Sequence, residues 1–369
     1  MPSAASPSVA LVHERFTEWA GSEMVVEQLA HEFPEALVHA PVADPANVPA
    51  ELRPRLRPGR LSRLLRPGGG YAHLLPALPV AMARTRLPDV DVVVASHHAF
   101  ASQVVHATDA PVVAYVHSPA RWVWDREMRR GEVGGAAGEA LLGAFSAAFR
   151  PADHRAAQRL RTVVANSTAV ADRVRRWWDR DAVVVHPPVD VDSYTPDASV
   201  GREDFYLLAG RLVPYKRPEL AVRAATAAGV PLVVAGDGRA RADCERVAGP
   251  NVRFLGRTTD AEQLDLYRRC KALLMPGVED FGIVPVEAQA CGAPVVAAAE
   301  GGALDTVLPG RTGVLVPEDG DGEHAVARWA EALASTTGDF DPGAIRTHAE
   351  GFSRAHFRER MREVVLAAL

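Results

Sequence analysis

The chain has 369 residues, enough for two domains of ordinary size, and its content of 48% hydrophobic and 24% charged residues is typical of a globular enzyme. A net charge of −5 argues against a general attraction to nucleic acid or to an anionic membrane. The cysteines Cys244, Cys270 and Cys291 have no metal-ligand spacing, and their odd number argues against a disulfide framework.

The amino-terminal segment, Met1 to Ser8, lacks the basic region and apolar core of a signal peptide. No apolar run along the chain approaches the ~20 residues that a helix needs to span a bilayer. We therefore expect a cytoplasmic protein that is at most peripheral to a membrane.

Short runs rich in β-branched residues alternate with helix-length amphipathic segments. The runs predicted as buried parallel strands are Val9–Val12, Val92–Ala95, Val112–Tyr115, Val163–Ala165, Val183–Val185, Phe205–Leu208, Leu232–Ala235, Val252–Leu255, Leu273–Met275 and Val295–Ala297. A polar, proline-rich linker, His186–Asp197, divides the series. The pattern predicts two doubly wound, Rossmann-like α/β domains facing each other across a cleft. We assign residues 1–190 and 200–352 to these domains, and expect the amphipathic segment 353–369 to pack back on the first.

Several helix starts are marked by residues that satisfy free N–H groups or suit a first turn. Ser22 and Ser167 are predicted N-caps, and Pro218 suits a first helical position. Asp260 with Gln263 resembles a capping box.

In the first domain, the loop after the first strand carries Gly21 and Ser22. This loop could bring backbone N–H groups near a phosphate or an acceptor, although it is far from a full glycine-rich fingerprint. The arginine-rich segment from Arg53 to Arg66 could dock an anionic lipid or a lipid-diphosphate acceptor, or could equally be a solvated face.

His117 ends a predicted strand and is followed by Arg121, Trp122 and Trp124. A lone histidine is usually structural, but one at the carboxyl end of a strand beside aromatic residues is a better candidate for contact with a sugar. His97 and His98 follow another strand and are weaker candidates.

In the second domain, Gly210 permits a tight turn after the first strand, and Arg211 and Lys216 follow it. A guanidinium and an ammonium together could neutralise a diphosphate and stabilise it as a leaving group. The alternative is a solvated basic loop before a helix. Gly256 and Arg257, after a later strand, could edge a base pocket.

The segment Pro276–Glu287 follows a buried strand and places two carboxylates, Glu279 and Glu287, around a glycine turn that opens a helix. Ligands bind at such strand ends, and helix N-termini favour phosphate. Carboxylates beside a phosphate would be acceptable if they accepted hydrogen bonds from hydroxyls, as in a nucleotide sugar. The alternative is a surface loop with two solvated acids.

This combination resembles a retaining glycosyltransferase of family 4, with the two-domain GT-B fold. The residues that match the donor-site pattern of that family are Gly210–Arg211, Lys216, Glu279, Phe281–Gly282 and Glu287. The stretches Tyr115–Asp125 and Glu279–Gly292 further resemble a bacterial, mannosyltransferase-like subgroup. Asp280 stands where many members of the wider family carry glycine, although that subgroup is similar to this chain there.

The resemblance implies that Arg211 and Lys216 hold the diphosphate, Glu279 a hydroxyl of the donor sugar, and Glu287 the ribose. It implies transfer of a hexose with retention, most simply of mannose from GDP-mannose, to the hydroxyl of a glycan, glycolipid or secondary metabolite.

The same resemblance implies that Phe281, Gly282 and Ile283 present backbone groups to the sugar and phosphate, and that His117 lies near the donor sugar. The resemblance also implies front-face attack that needs neither a protein nucleophile nor a bound metal, so no cofactor is expected. Two alternatives stay open, namely a nucleotide-sugar 2-epimerase of the same fold and a non-catalytic nucleotide-sugar-binding module.

Overall fold

The computed structural model describes residues 7–65, 70–129, 135–317, 320, 322–336 and 339–369. The chain forms two compact units. One contains the chain up to Pro188 together with Phe357–Leu369, and the other contains Val189–His356.

The first unit is built on a parallel sheet. Its strands are β1 (Val9–His13), β2 (Arg15–Phe16), β3 (Leu37–Ala40), β4 (Val42–Ala43), β5 (Leu56–Pro58), β6 (Val92–His97), β7 (Val112–Val116), β8 (Thr162–Ala165) and β9 (Val183–Val184). Its helices are α1 (Gly21–Glu32), α2 (Leu78–Ala83), α3 (Arg121–Trp124), α4 (Arg126–Arg129), α5 (Gly135–Arg159) and α6 (Thr168–Trp178). The strand order is β5-β3-β1-β6-β7-β8-β9, and β2 pairs with β4.

The second unit is built on another parallel sheet. Its strands are β10 (Tyr206–Ala209), β11 (Leu232–Ala235), β12 (Val252–Gly256), β13 (Ala272–Met275), β14 (Val295–Ala298) and β15 (Gly313–Val316). The remaining helices are α7 (Pro218–Ala228), α8 (Arg241–Val247), α9 (Asp260–Arg269), α10 (Ile283–Ala290), α11 (Ala303–Thr306), α12 (Glu323–Ser335), α13 (Pro342–Glu350) and α14 (Arg354–Ala367). The strand order is β12-β11-β10-β13-β14-β15.

Both sheets are covered on both faces, because successive strand residues enter different cores. In β1, Ala10 and Val12 pack into one core whereas Leu11 packs into the other. In β10, Leu208 packs into one core of the second unit and Leu207 packs into the other. The predicted pair of doubly wound α/β domains is confirmed.

The predicted strands are present to within two residues of their expected bounds, but two of them are not buried. Val183 in β9 is 41% exposed and Leu255 in β12 is 40% exposed, because both strands lie at sheet edges. Five strands were not predicted, namely β2, β3, β4, β5 and β15. β5 lies within the arginine-rich segment, and Pro58 is tolerated there because β5 is an edge strand.

Two of the predicted helix starts are confirmed and two are wrong. The Ser167 hydroxyl accepts the Val170 N–H, and Pro218 is the first residue of α7. Ser22 instead lies inside α1, so it is not the N-cap. The capping box at α9 is Thr259 with Glu262, one residue earlier than predicted.

The carboxyl-terminal helix contributes to the first unit. Phe357, Met361 and Val365 of α14 are buried in one of its cores, where Phe357 meets the Tyr115 ring edge-on at 5.6 Å. The Arg358 guanidinium donates to the Gln28 side chain. No helix of the described residues has the length and apolar character required to cross a membrane.

The arginine-rich segment is used partly for local structure. Arg55 donates to the carbonyl oxygens of Ala30, Phe33 and Pro34, and thereby ties the end of α1 to β5. Arg60 and Arg63 are exposed, and Arg66 lies outside the described residues.

Candidate active site

The second sheet changes winding direction next to its central strand. β11 lies on one side of β10 and β13 lies on the other. The connections that follow β10 and β13 at their carboxyl ends therefore lead to opposite sides of the sheet. Ligands of doubly wound sheets bind at such a switch point. A cavity occupies this place, and its lining includes Ala209, Lys216, Met275, Gly277, Glu279 and Gly282.

Lys216 and Glu279 form an ion pair in this cavity. The ammonium Nζ lies 2.6 Å from a Glu279 carboxylate oxygen, and the two side chains are 23% and 24% exposed. Both groups are therefore accessible to a ligand while each already has a partner of opposite charge. The sequence placed the two residues at strand ends but did not predict that they pair.

Arg217 holds the two loops together. It has a left-handed backbone, with φ of 50°, between the short 3-10 helix Pro214–Lys216 and α7. Its guanidinium donates to the Pro276 carbonyl at 3.4 Å, which links the loop after β10 to the loop after β13. A strained backbone of this kind persists only where the surroundings enforce it.

Arg211 and Gly210 lie beside this pair. The Arg211 side chain is exposed, and it makes no hydrogen bond or ion pair with the described residues. A β-carbon placed on Gly210 would lie 4.0 Å from the Lys216 ammonium. Arg211 follows Gly210 in the same loop, so its guanidinium is available to a ligand with negative groups.

Gly282 is the N-cap of α10, and both Gly282 and Val284 line the cavity. Gly282 has φ of 89°, a conformation that favours glycine, and it directly precedes Ile283. The first N–H groups of a helix have no intrahelical partner, so those of Ile283 and Val284 can serve an anion. The Phe281 side chain is buried against Phe352, which leaves it a packing role beside any backbone contact. Asp280 is partly buried in the same loop.

Gly302, in the loop after β14, allows that loop to pack against the Glu279–Phe281 loop. Its N–H donates to the Glu279 carbonyl at 2.9 Å, and an added β-carbon would lie 2.2 Å from the Phe281 carbonyl oxygen. We expect Gly302→Ala to lower the free energy of unfolding by about 1–3 kcal/mol through overpacking, measured by urea denaturation. Gly201→Ala is the control, because a β-carbon there meets nothing within 4 Å. Equal stability of the two variants would contradict the packing argument.

Glu287 lies on α10, apart from the lining of the Lys216 cavity. The buried Tyr267 donates its hydroxyl to the Glu287 carboxylate at 3.0 Å. Burial raises the pKa of Glu287 to about 7, although the Tyr267 hydrogen bond opposes this shift. Tyr194 packs edge-on against Tyr267 at 5.6 Å. Sequence reasoning did not identify either tyrosine, because both lie outside the segment Pro276–Glu287.

Gly256 and Arg257 are not brought to the same cavity. The Gly256 carbonyl accepts the Gly236 N–H at 2.7 Å, which joins two adjacent strand ends. Arg257 is exposed and lines a separate depression with Thr258 and Asp265. Their role at a base pocket stays a prediction.

The first sheet has its own switch point, between β1 and β6, and it carries a chain of polar side chains. His13 and Ser96 are paired in register at the ends of these strands. Ser96 Oγ lies 3.0 Å from Nδ1 of His13 and 2.8 Å from Nε2 of His117. Burial lowers the pKa of His117 to about 3, so its ring is neutral at physiological pH.

Glu23 ends this polar chain. Its carboxylate lies 3.4 Å from Nε2 of His13 and accepts the Ala20 N–H and the Ser22 hydroxyl. Burial would raise the pKa of Glu23, but the hydrogen bonds from His13 and Ser22 outweigh it and lower the pKa to about 2. The Ser22 hydroxyl is therefore engaged with Glu23, and Gly21 is the first residue of α1.

Sequence reasoning missed His13, Ser96 and Glu14. Glu14 is buried and accepts the four consecutive N–H groups of residues 98–101 at 2.6–2.9 Å, which fixes the loop after β6. The available signal was the one used for His117, a polar residue at the carboxyl end of a buried strand. His98, in the loop held by Glu14, stacks on His117 with ring centroids 4.4 Å apart.

A cluster of possible metal ligands lies elsewhere on the first unit. Ligand atoms of Glu27, His31 and Glu51 come within 4.8 Å of one another, and the last two residues are exposed. Such acidic surface groups are common without an ion, so this cluster carries no functional assignment.

Two family models match the chain in succession. Residues 19–193 match the family described as Glycosyltransferase Family 4, and residues 196–339 match glycosyl transferases group 1. Each part of the chain is thus similar to a family of glycosyltransferase domains. Together the two matches span most of the chain.

Curated relatives that are similar to this chain include D-inositol 3-phosphate glycosyltransferases. The protein from Mycobacteroides abscessus is 36% identical over 195 residues, which cover 46% of this chain and 43% of the relative. The protein from Mycolicibacterium smegmatis is 36% identical over 204 residues, covering 48% and 46%. The matched segment thus spans less than half of each of these relatives.

Solved structures similar to this chain include HepE of Anabaena in complex with UDP, with a TM-score of 0.66 and 19% identity over 98% of this chain and all of that one. Sucrose-phosphate synthase of Thermosynechococcus elongatus has a TM-score of 0.68 and 20% identity, covering 99% of this chain and all of that one. At these identities the likeness shows the fold, which is GT-B.

Proposed function

We propose that this chain is a retaining glycosyltransferase that transfers a hexose from a nucleotide sugar to an acceptor hydroxyl. The observation that carries the proposal is the cavity at the β10–β13 switch point, where Lys216 and Glu279 lie side by side. An ammonium suits the diphosphate and a carboxylate suits a sugar hydroxyl, and a nucleotide sugar joins these two groups by one bond.

Each remaining site residue has a part in this reaction. Arg211 and Lys216 offset the charge that develops on the diphosphate as the glycosidic bond breaks. The α10 N-terminus supplies N–H groups to the phosphate, and Glu287 accepts hydrogen bonds from the ribose. The acceptor attacks from the face that the diphosphate leaves, so the configuration is retained without a protein nucleophile. The proposed reaction uses neither a metal nor another cofactor.

The donor and acceptor are the finer parts of the proposal. The subgroup resemblance favours GDP-mannose, whereas HepE of Anabaena was solved with UDP and with UDP-glucose. The relatives named for D-inositol 3-phosphate make a phosphorylated cyclic polyol one acceptor to test, beside glycans, glycolipids and secondary metabolites. The exposed Arg60 and Arg63 are the candidates for contact with an anionic membrane surface.

Thermal shift across GDP-, UDP-, dTDP- and ADP-sugars tests the donor site. A ligand that binds the folded state raises the melting temperature, by an amount that grows with its concentration over Kd. We expect a shift with GDP-mannose that is lost in Glu279→Ala and in Arg211→Ala. A shift confined to another nucleotide sugar would overturn the mannose assignment, and no shift with any donor would contradict the donor site.

Product analysis then separates transfer from the alternatives. A new glycoside that forms only when an acceptor is added supports a transferase. Release of nucleoside diphosphate without any glycoside, whatever the acceptor, would favour the 2-epimerase class or hydrolysis. Donor binding without any turnover would favour a binding module.

A further inference from the structure

Two residues of the second unit, Tyr267 on α9 and Glu287 on α10, meet through their side chains. Tyr267 is 1% exposed, whereas Glu287 is partly exposed. The Tyr267 hydroxyl donates to Oε2 of Glu287 at 3.0 Å. Burial raises the pKa of Tyr267 well above its usual range, so the hydroxyl keeps its proton and is the donor at neutral pH.

Glu287 is the partner on which the Tyr267 hydroxyl depends. This hydroxyl donates to no other group among the described residues. Because a buried hydroxyl without a partner is costly, its bond to Oε2 fixes which way the carboxylate faces. The phenol is held in turn by its neighbours. The Tyr194 ring meets it edge-on at 5.6 Å, and the Arg202 guanidinium donates to the Tyr267 backbone carbonyl at 3.2 Å.

The second carboxylate oxygen of Glu287, Oε1, is open. It makes no hydrogen bond or ion pair with the described residues, yet it does not belong to their buried side-chain atoms that lack a partner. It therefore reaches solvent. Since Tyr267 fixes one oxygen, the other is presented outward in one orientation and can accept a hydrogen bond from a hydroxyl of a ligand.

We propose that Tyr267 is a positioning residue for nucleotide binding, whose hydroxyl orients the Glu287 carboxylate so that Oε1 accepts a hydrogen bond from a ribose hydroxyl. This inference rests on the proposed function, in which Glu287 contacts the ribose. A carboxylate that is already oriented loses less conformational freedom when the ribose binds. Both residues belong to the second unit, which also contains the Lys216 cavity.

The same hydrogen bond affects the charge of Glu287. Burial raises the pKa of Glu287 to about 7, and the Tyr267 hydrogen bond opposes this rise. The carboxylates of Asp190 and Asp260 add to the rise, because a second negative charge nearby disfavours ionisation. Loss of the Tyr267 hydroxyl should therefore leave Glu287 protonated over a wider range of pH.

Two further titratable groups interact with Glu287, namely Tyr194 and Cys291. Burial raises the pKa of each, so both are uncharged near pH 7. The arginines around this cluster are engaged with other groups, namely Arg268 with the Thr195 carbonyl, Arg346 with the Tyr194 carbonyl and Arg354 with the Asp190 carboxylate. Among the described residues, Tyr267 is thus the neighbour whose hydrogen bond favours an ionised Glu287.

The first test reads Glu287 itself and needs no ligand. In the full chain labelled with ¹³C-glutamate, the carboxyl signal follows ionisation, and the Glu287 signal is assigned by its loss in Glu287→Gln. Tyr267→Phe removes the hydroxyl and keeps the ring. We expect it to raise the midpoint of the Glu287 titration by about one pH unit. An unchanged midpoint would overturn the proposal.

Tyr206→Phe is the matched control in the same unit. Tyr206 is also 1% exposed, and its hydroxyl donates to the Leu333 carbonyl at 2.6 Å, not to Glu287. Loss of this hydroxyl should leave the Glu287 midpoint unchanged. The same shift in both variants would mean that Glu287 responds to a general loosening of the unit, which would contradict a specific role of Tyr267.

The second test reads the consequence for nucleotide binding, by calorimetry with GDP, UDP and ADP from pH 6 to pH 9. A rise of the midpoint by about one pH unit lowers the ionised fraction of Glu287 at pH 7 about fivefold. Tyr267→Phe should therefore bind the nucleotide about fivefold more weakly at pH 7 and recover most of that loss at pH 9. A loss of the same size at every pH would indicate a merely structural role and overturn the proposal.

Nucleotides that lack one ribose hydroxyl connect the effect to the ribose. Of the 2′-deoxy and 3′-deoxy forms of the nucleotide that binds, at least one should bind the natural chain more weakly than the parent nucleotide does. For that form, Tyr267→Phe should add little further loss, because the hydroxyl that Glu287 accepts is already gone. An equal Tyr267→Phe penalty for the parent nucleotide and both deoxy forms would overturn the link to the ribose.

The two tests also separate this inference from the proposed function. If no nucleoside diphosphate binds, the proposed function fails and the ribose contact fails with it, whereas the ¹³C titration still decides whether Tyr267 controls the Glu287 carboxylate. If a nucleotide binds the natural chain and Tyr267→Phe equally well at every pH, the proposed function stands and the inference is wrong.

Discussion

Lys216→Ala is expected to lower kcat by about 10²–10³-fold, the usual loss when one group that stabilises developing negative charge is removed. The ammonium lies in the cavity at the β10–β13 switch point, where we place the departing diphosphate. Affinity for the free nucleoside should change little, because the base does not contact this loop in the proposal. Steady-state kinetics together with calorimetric binding of the nucleoside measure both quantities.

A matched control exists because the chain contains two lysines, Lys216 and Lys271. Lys271 also forms an ion pair, with Asp204 at 3.1 Å, but it directly precedes β13 and so lies at the amino end of the parallel strands, opposite the carboxyl ends that border the cavity. Lys271→Ala should therefore leave kcat within twofold. An unchanged kcat in Lys216→Ala would contradict the leaving-group role.

The Lys216–Glu279 pair adds a complication that a double variant resolves. Removing Lys216 alone leaves the partly buried Glu279 carboxylate without its partner, and this carboxylate would then repel the diphosphate. Lys216→Ala combined with Glu279→Gln removes that repulsion. We expect the double variant to bind the donor more tightly than Lys216→Ala does, but not to recover kcat. The effects of substituting two interacting residues are not additive.

Glu287 is expected to make nucleotide-sugar binding weaken as the pH falls below about 7. Its pKa is raised to about 7 by burial, and the ribose hydroxyls of the proposed complex need an ionised carboxylate to accept their hydrogen bonds. Binding should therefore release protons near neutral pH. Calorimetry in buffers of different ionisation enthalpy measures this release, which should disappear in Glu287→Gln along with most of the affinity.

The same raised pKa has a consequence for stability that can be measured without ligand. The folded state holds the Glu287 proton more tightly than the unfolded state. The contribution of this group to the free energy of unfolding is therefore greatest below pH ~4.5 and is lost as the pH rises through 7. The shift corresponds to up to roughly 3 kcal/mol. Glu287→Gln should thus be more stable than the natural chain at pH 8.

Urea denaturation at pH 6 and pH 8 tests this point, with the exposed Glu331→Gln as the matched control. The stability gain of Glu287→Gln should grow with pH, whereas Glu331→Gln should show no such trend. A gain that is independent of pH would contradict the assignment of the raised pKa to Glu287.

The fold was predictable because buried parallel strands leave a strong local signal. β11 was predicted with its observed bounds, since Leu232–Ala235 is an apolar run between turn residues and is buried on both faces. β3 was missed because His39 interrupts its apolar run, and β5 because arginine and proline replace the apolar pattern at the sheet edge. Local pattern thus reports burial, and it fails where a strand is held mainly by its neighbours.

The sequence by itself determined the two α/β domains and the strand ends at which Arg211, Lys216, Glu279 and His117 lie. Only the tertiary structure decided which of these side chains meet. The pairing of Lys216 with Glu279, the Tyr267 hydroxyl on Glu287 and the Ser96 bridge between His13 and His117 join residues that are 20 to 83 positions apart. The order of strands in a sheet sets such contacts, and strand order arises from packing of the whole domain, which no local spacing encodes.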